Sequence, residues 1–195
     1  MTTIALPSTF RPEMFSMRLA TVQRAHASPF GGSEQVIDLL NDRWQISLTL
    51  PLGTQETAAS NEAFLGSLRG MTNTVNLWHM ARRAPRGTMR GSPLCQAASQ
   101  GASQIVISGL VGDTLKAGDM VGISGLLLQV AEDATANGSG FITTKLVNRL
   151  RTSITSGVAV TWDRPTVPFR LMSTPSQQYM PGYGSGVALD FAEVI

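Results

Sequence analysis

Four arginines within nine residues, Arg82, Arg83, Arg86 and Arg90, are the densest group of functional side chains in the sequence. Guanidinium groups are planar, permanently charged donors, so such a cluster suits bidentate contact with carboxylate or phosphate. Three uses are open: ion pairing with an acidic surface on a neighbouring copy, contact with DNA phosphates, or a solvated loop that contacts nothing. Four charges neutralise only a few phosphates, which gives weak, salt-dependent binding unless symmetry multiplies them. The subunit or partner interface is the preferred reading. It carries the expectation that replacing all four with serine leaves the protomer folded and lowers assembly.

Other chemistry finds no foothold. His26 and His79 are the only histidines, and neither is spaced with Cys95 or with a carboxylate pair as metal ligands are. No metal and no other cofactor is expected. Ser185 stands among glycines in Gly182-Tyr183-Gly184-Ser185-Gly186, but no histidine follows it, so a serine–aspartate–histidine order is impossible there. Phosphate-binding glycine motifs are missing. Glu132 and Asp133 are adjacent, and strand neighbours face opposite sides, which reads as a solvated turn rather than a paired acid site. The chain is therefore read as a non-enzyme.

The elements that must position the arginines belong to one domain or to a domain with a large insertion, given 195 residues. Only 14% of residues are charged, against about 25% in typical domains. So little charge leaves apolar surface that other subunits are expected to cover. The net charge is +2, and its excess lies between residues 80 and 91, where four arginines meet no acid. A single cysteine forbids an intramolecular disulfide and points to a reducing birthplace. No signal-peptide pattern and no membrane-length apolar run is present, so neither secretion by a signal peptide nor a membrane segment is expected.

Hydrophobic periodicity gives the outline. Met17, Leu19 and Val22 suggest an early strand. Trp44, Ile46, Leu48 and Leu50 alternate with polar residues, as in a half-buried antiparallel strand ended by Pro51. Thr54 is a candidate N-cap for a helix near 54–69, with Ala59, Ala63, Phe64 and Leu68 inward, Gly66 weakening it and Gly70 ending it. A strand over 74–79 follows, with Val75 and Leu77 opposite Asn76 and Trp78. The arginine segment, 81–93, reads as a loop. Beyond it come strands at 104–108, 120–124, 126–131, 141–147, 158–162, 167–172 and 187–194, punctuated by Gly112-Asp113, Gly118-Asp119 and Gly125. Residues 133–140 and 173–186 read as loops. Regular short strands with one helix argue for small barrels or sandwiches.

A family resemblance rests on these residues. Ser28-Pro29-Phe30-Gly31-Gly32 followed by Gln35, Trp44 in a strand closed by Leu50-Pro51, and a helix with Phe64-Leu65 and Leu68-Arg69-Gly70 resemble tail proteins of double-stranded-DNA bacteriophages. Pro85-x-Gly87, Gly118-Asp119 before a hairpin and Arg149-Leu150-Arg151 continue it. The similarity is nearest to distal tail and tail-tube proteins. It implies a mainly β fold: a tail-tube-like β-barrel half with one packed helix, plus an inserted or appended small β-barrel or sandwich. The ring-forming domain is expected over 1–102, with 187–195 returning to it, the outer β-domain over 103–172, and a loop over 173–186.

The resemblance also implies a structural virion protein, made and assembled in the host cytoplasm and located in the tail. It would form a ring with itself, hexameric in symmetry, joining tail tube to hub or tip proteins and enclosing the channel through which DNA passes. The arginine-dense segment departs from the family's less basic pattern, and no large carbohydrate-binding extension is present. Host-surface glycan binding, with Trp162 as the stacking platform, and a tail-associated cell-wall hydrolase are the alternatives. Trp44, Trp78, Trp162 and Phe64 are expected to be core or interface anchors.

Overall fold

The computed structural model describes residues 2–27, 31–173 and 175–195, so Ser28, Pro29 and Phe30 of the motif above lie outside the described residues. In chain order the elements begin with strands β1 (Thr3–Ile4), β2 (Met14–Ala20), β3 (Gln23–Ala27), β4 (Glu34–Asp38), β5 (Arg43–Leu50) and β6 (Gly53–Thr54). Helix α1 (Gln55–Leu68) is followed by β7 (Thr74–Leu77), β8 (Leu94–Cys95), β9 (Gln104–Ser108), β10 (Thr114–Leu115), β11 (Met120–Ile123) and β12 (Leu126–Gln129). The chain continues through β13 (Ala134–Thr135), β14 (Phe141–Lys145), β15 (Val158–Thr161), β16 (Val167–Leu171), β17 (Tyr179–Met180), β18 (Tyr183–Gly184) and β19 (Val187–Glu193). The fold is mainly β with one helix, in two compact units.

The first unit comprises residues 1–18, 43–81 and 166–195. It is built on a six-stranded half-barrel sheet in the order β1-β7-β16-β19-β5-β2, antiparallel except at the two-residue edge β1. The alternation seen in the sequence of β5 is realised: Trp44, Ile46, Leu48 and Leu50 are buried, while Ser47 is exposed. β19 packs beside it over six residue pairs, from Val187↔Leu50 to Ala192↔Gln45, and places Val187, Leu189 and Phe191 on the same buried face. The opposite edge, β2, is marked by Glu13 N donating to Thr49 O at 2.8 Å and Arg18 Nε donating to Gln45 Oε1 at 2.9 Å, an antiparallel progression. Val22 lies outside β2.

Helix α1 starts where its cap predicts. The Thr54 side chain accepts from Thr57 N at 3.3 Å, and Arg69, left-handed at φ 49°, closes the far end by donating its N–H to Gly66 O at 3.1 Å. The inward stripe differs from the expected one. Ala58, Asn61, Phe64, Leu65 and Leu68 are buried, whereas Ala59 and Ala63 are exposed. Phe64 fixes the phase, because its ring meets Phe10 edge-to-face at 5.5 Å.

The second unit comprises residues 19–42 and 82–165. Its main sheet runs β12-β11-β15-β8-β9-β14, and a bridge at Val130↔Leu146 joins the two ends, so it closes as a small barrel. Ala131 N to Lys145 O at 2.9 Å and Val147 N to Gln129 O at 2.8 Å complete the seam. Inside lie Cys95, Ile105, Ile107, Val121, Ile123, Leu128, Val130, Ile142 and Val160. The β11–β12 hairpin turns on Ser124 and Gly125, both at positive φ (50° and 76°), as a two-residue hairpin demands.

These units differ from the boundaries drawn on the sequence. β16, expected in the outer domain, pairs with β7 and β19 in the six-stranded sheet, and residues 82–102 supply Met89 and Cys95 to the barrel core. A short strand's sequence shows that one face is apolar, not which sheet receives it. The segment 173–186, expected as a loop, carries the hairpin β17–β18, which pairs with β6.

Gly66 lies on the exposed side of α1, and a Cβ added there meets nothing within 4 Å. Gly66→Ala is expected to stabilise the protein by about 0.5–1 kcal/mol through helix propensity, read as a higher urea midpoint with unchanged slope.

Candidate interaction site around the arginine segment

Pro85, Gly87 and Met89 are buried while Arg83, Arg86 and Arg90 point outward, so the segment 82–90 lies on the barrel as an ordered strap. Asp119 is its anchor. This buried carboxylate accepts from Arg86 N at 2.8 Å through Oδ1, and from Gly87 N at 3.1 Å and Lys116 N at 2.7 Å through Oδ2. Gly87 is required because a Cβ there would sit 2.1 Å from Thr114 O. Met89 N donates to the same Thr114 O at 3.2 Å.

The guanidinium groups then close the strap from outside. Arg82 Nη1 donates to Gly118 O and Arg86 Nη2 to Ala117 O. Arg83 holds Asp163 with a bidentate pair at 2.9 and 3.3 Å, beside Arg164 N donating to Arg83 O at 2.8 Å. Arg90 donates to the carbonyls of Gly87, Met89 and Pro85 at 2.9, 2.6 and 3.1 Å, and its guanidinium carbon lies 5.0 Å from the centre of the Trp162 ring. Trp162 Nε1 in turn donates to Gly91 O at 2.9 Å. All four arginines therefore have partners inside their own unit. Replacing them with serine would strip the strap of these bonds, so the expectation that the protomer tolerates this change unharmed does not follow from the geometry.

Charge on this surface is used in pairs. Asp133 accepts from Lys116 Nζ and Ala117 N, both at 2.9 Å, and the lysine bond foremost holds its carboxyl below the ordinary range. The Arg83 bond foremost does the same for Asp163. Burial pushes the Cys95 thiol up, away from the reactive thiolate. Among the described residues no three of His, Cys, Asp and Glu come together, and no helix is long and apolar enough to cross a membrane.

The structure brings Trp162 to the arginines and leaves the other anchors in the first unit. Trp44 is buried in β5, and its backbone N–H donates to Glu193 Oε2 at 2.9 Å. Phe64 is in the core. Trp78 is half-buried and lines a cleft of about 500 Å³ in which Leu6, Phe10, Phe15 and Met80 lie beside the charged Arg11 and Glu13. His79 is buried against Phe15, the ring centroids 5.0 Å apart.

Two surfaces escaped the sequence reading. The ribbon β3–β4 has nine of its ten residues exposed, including Val36 (59%) and Ile37 (40%) on its two faces. The turn after β9 presents Leu110 and Val111 at 74% and 67% exposure. Arg24 and His26 alternate with Ala25 and Ala27 in β3, but alanine is a weak apolar marker, and in β4 the adjacent Val36 and Ile37 break the alternation. The chain matches no protein-family model and no curated protein.

Two outcomes are expected. Asp119→Ala leaves three backbone N–H groups unpaired and should destabilise the protein by about 2–3 kcal/mol in urea unfolding. Asp119→Asn should not rescue it, since both carboxylate oxygens accept and an amide offers one. Because the Asp133 and Asp163 values are depressed in the folded state, their contribution is present above the unfolded aspartate value of about 3.9 and disappears as pH falls through the folded value. Urea midpoints measured across acid pH should show this loss, and Asp163→Asn should reduce it.

Proposed function

We propose that this chain is a structural subunit that closes a ring with identical copies, serving as a distal tail or hub adaptor in the virion of a double-stranded-DNA bacteriophage. One observation carries the reading: of the two large sheets, the barrel closes on itself and the half-barrel sheet has an open edge on either side. The edge β2 is seven residues long, has a strand on one side only among the described residues, and contains one charged residue, Arg18, and no proline. Such an edge is a template for another strand. Repeating a half-barrel around an axis removes the edges by giving each a neighbour.

The exposed ribbon supports the same reading, because an isolated two-stranded hairpin is marginal in water and gains stability when covered. The sheet's other face carries Ser16, Arg18, Ser47, Thr49 and Asp190, a wetted polar surface suited to line a channel for DNA. In this reading the ring is hexameric, as the family resemblance implies, with tail-tube proteins on one side and hub or tip proteins on the other. Glycan binding is the second reading. It would draw on Tyr179, Met180 and Tyr183, exposed on β17–β18, rather than on Trp162, whose ring is faced by Arg90.

Native mass spectrometry and light scattering on the purified chain test the proposal. A closed oligomer is expected, with Val36→Lys plus Ile37→Lys yielding a folded monomer by circular dichroism. Wild-type protein that stays monomeric at every concentration, or a double variant that assembles unchanged, sinks it.

A further inference from the structure

Asn137-Gly138 is the one Asn-Gly pair in the sequence, and it opens the turn between β13 and β14 with both residues exposed. Asn137 Oδ1 accepts two backbone hydrogen bonds, from Ser139 N at 2.9 Å and Phe141 N at 3.0 Å. The backbone around it is fixed, with Asn137 N donating to Phe141 O at 3.0 Å and Gly140 N to Asn137 O at 2.9 Å. Gly140 is wedged so closely that a Cβ would lie 2.7 Å from Gly109 O. Gly138 N–H donates to no group among the described residues, and the space around its Cα is open.

We infer that this turn is a self-modification site at which Asn137 is converted to aspartate and isoaspartate. The Gly138 nitrogen gives up its proton to hydroxide and attacks Asn137 Cγ. As the N–Cγ bond forms, the carbonyl electron pair moves onto Oδ1, where the Ser139 and Phe141 N–H groups already point. These two donors act as an oxyanion hole, pre-set by the fold rather than assembled during reaction. The Cγ–Nδ2 bond then breaks and the nitrogen leaves, protonated, as ammonia, which closes a five-membered imide. Water adds at Cγ and breaks the newly formed bond to the Gly138 nitrogen, giving aspartate, or adds at the Asn137 main-chain carbonyl and breaks the original peptide bond to that nitrogen, giving isoaspartate. The balance is one water in and one ammonia out, with no oxidant or reductant.

The glycine matters because a side chain at 138 would crowd the attacking nitrogen, whereas the space around the Gly138 Cα is open. The product adds a carboxylate to a turn that had none. In the isoaspartate form the main chain runs through Cγ, one atom longer, so the Asn137–Phe141 pairing that starts β14 cannot persist in its present register.

The test is peptide mapping by mass spectrometry after incubation in mildly alkaline buffer, comparing the folded chain with the same chain in urea. The mass gain of an amide turned to an acid should be confined to the peptide holding Asn137, with isoaspartate detected there, and should accumulate faster in the folded chain than in urea. Gly138→Ala should slow it by at least about tenfold. Ser139→Pro, which removes one donor and keeps Asn-Gly, should bring the folded rate down to that in urea. Slower conversion in the folded chain than in urea would overturn the inference by showing that the turn protects the residue. Equal conversion at Asn41, Asn61, Asn73, Asn76 or Asn148 would do the same.

Discussion

Every backbone N–H and C=O at the margin of a sheet must find a partner or remain in water, and the two large sheets of this chain meet that constraint in opposite ways. The barrel meets it alone: Val130 and Leu146 bridge its first and last strands, so the sheet has no margin along that seam. The half-barrel sheet cannot, because β1 contributes two residues at one margin and β2 seven at the other. The closed sheet can be interrupted only by breaking it, whereas the open one can grow by adding a strand. That asymmetry is the physical basis for the proposal that copies join through the open sheet.

Connectivity sharpens the distinction. β7 and β16 are paired neighbours, Leu77 opposite Val167, yet the barrel's residues 82–165 lie between them in sequence. A hairpin connection has thus been replaced by a domain, which is tolerated when the inserted chain leaves close to where it began. The Arg83–Asp163 pair and the Arg164 N to Arg83 O bond clip those two ends together within the barrel unit. The arginine strap then runs from this clip across the barrel wall. The local charge excess in the sequence is therefore structural: guanidinium groups supply donors to loop carbonyls that no strand satisfies.

The strands were legible because their apolar residues alternate. β9 and β19 lie where periodicity placed them, and the left-handed glycines at 112, 118 and 125 mark the turns between barrel strands. Sheet membership was not legible. β16 carries the same alternating pattern whether it joins the barrel or the half-barrel, and only long-range pairing decides. The helix phase is not legible because alanine at 59 and 63 is as compatible with water as with a core, while the aromatic pair Phe10–Phe64 fixes the orientation from outside the helix. Nor could the site be read in full. Asp119 appeared as turn punctuation after Gly118, since its three backbone partners at 86, 87 and 116 are brought to it by the fold.

The arginines show why a charge cluster in sequence is ambiguous between surface and scaffold. A guanidinium that contacts a partner and one that caps its own loop use the same donors, and what separates them is whether acceptors lie within reach in the isolated chain. Here Arg90 has three carbonyls and an indole face, and Arg83 a carboxylate, in the protomer itself. Any partner binding at this strap would have to displace those contacts or accept the arginines as they stand, with Arg83 and Arg86 still about two-thirds exposed (62% and 65% of their side chains). Displacement would forfeit bonds that hold the segment to the barrel. Contact with the exposed edges of already paired guanidinium groups forfeits none of them, because each such group retains further N–H donors. The strap is thus suited to the rim of an interface, and in the proposed assembly the greater burial would fall to the margins of the open sheet, where β2 carries a single charge, Arg18.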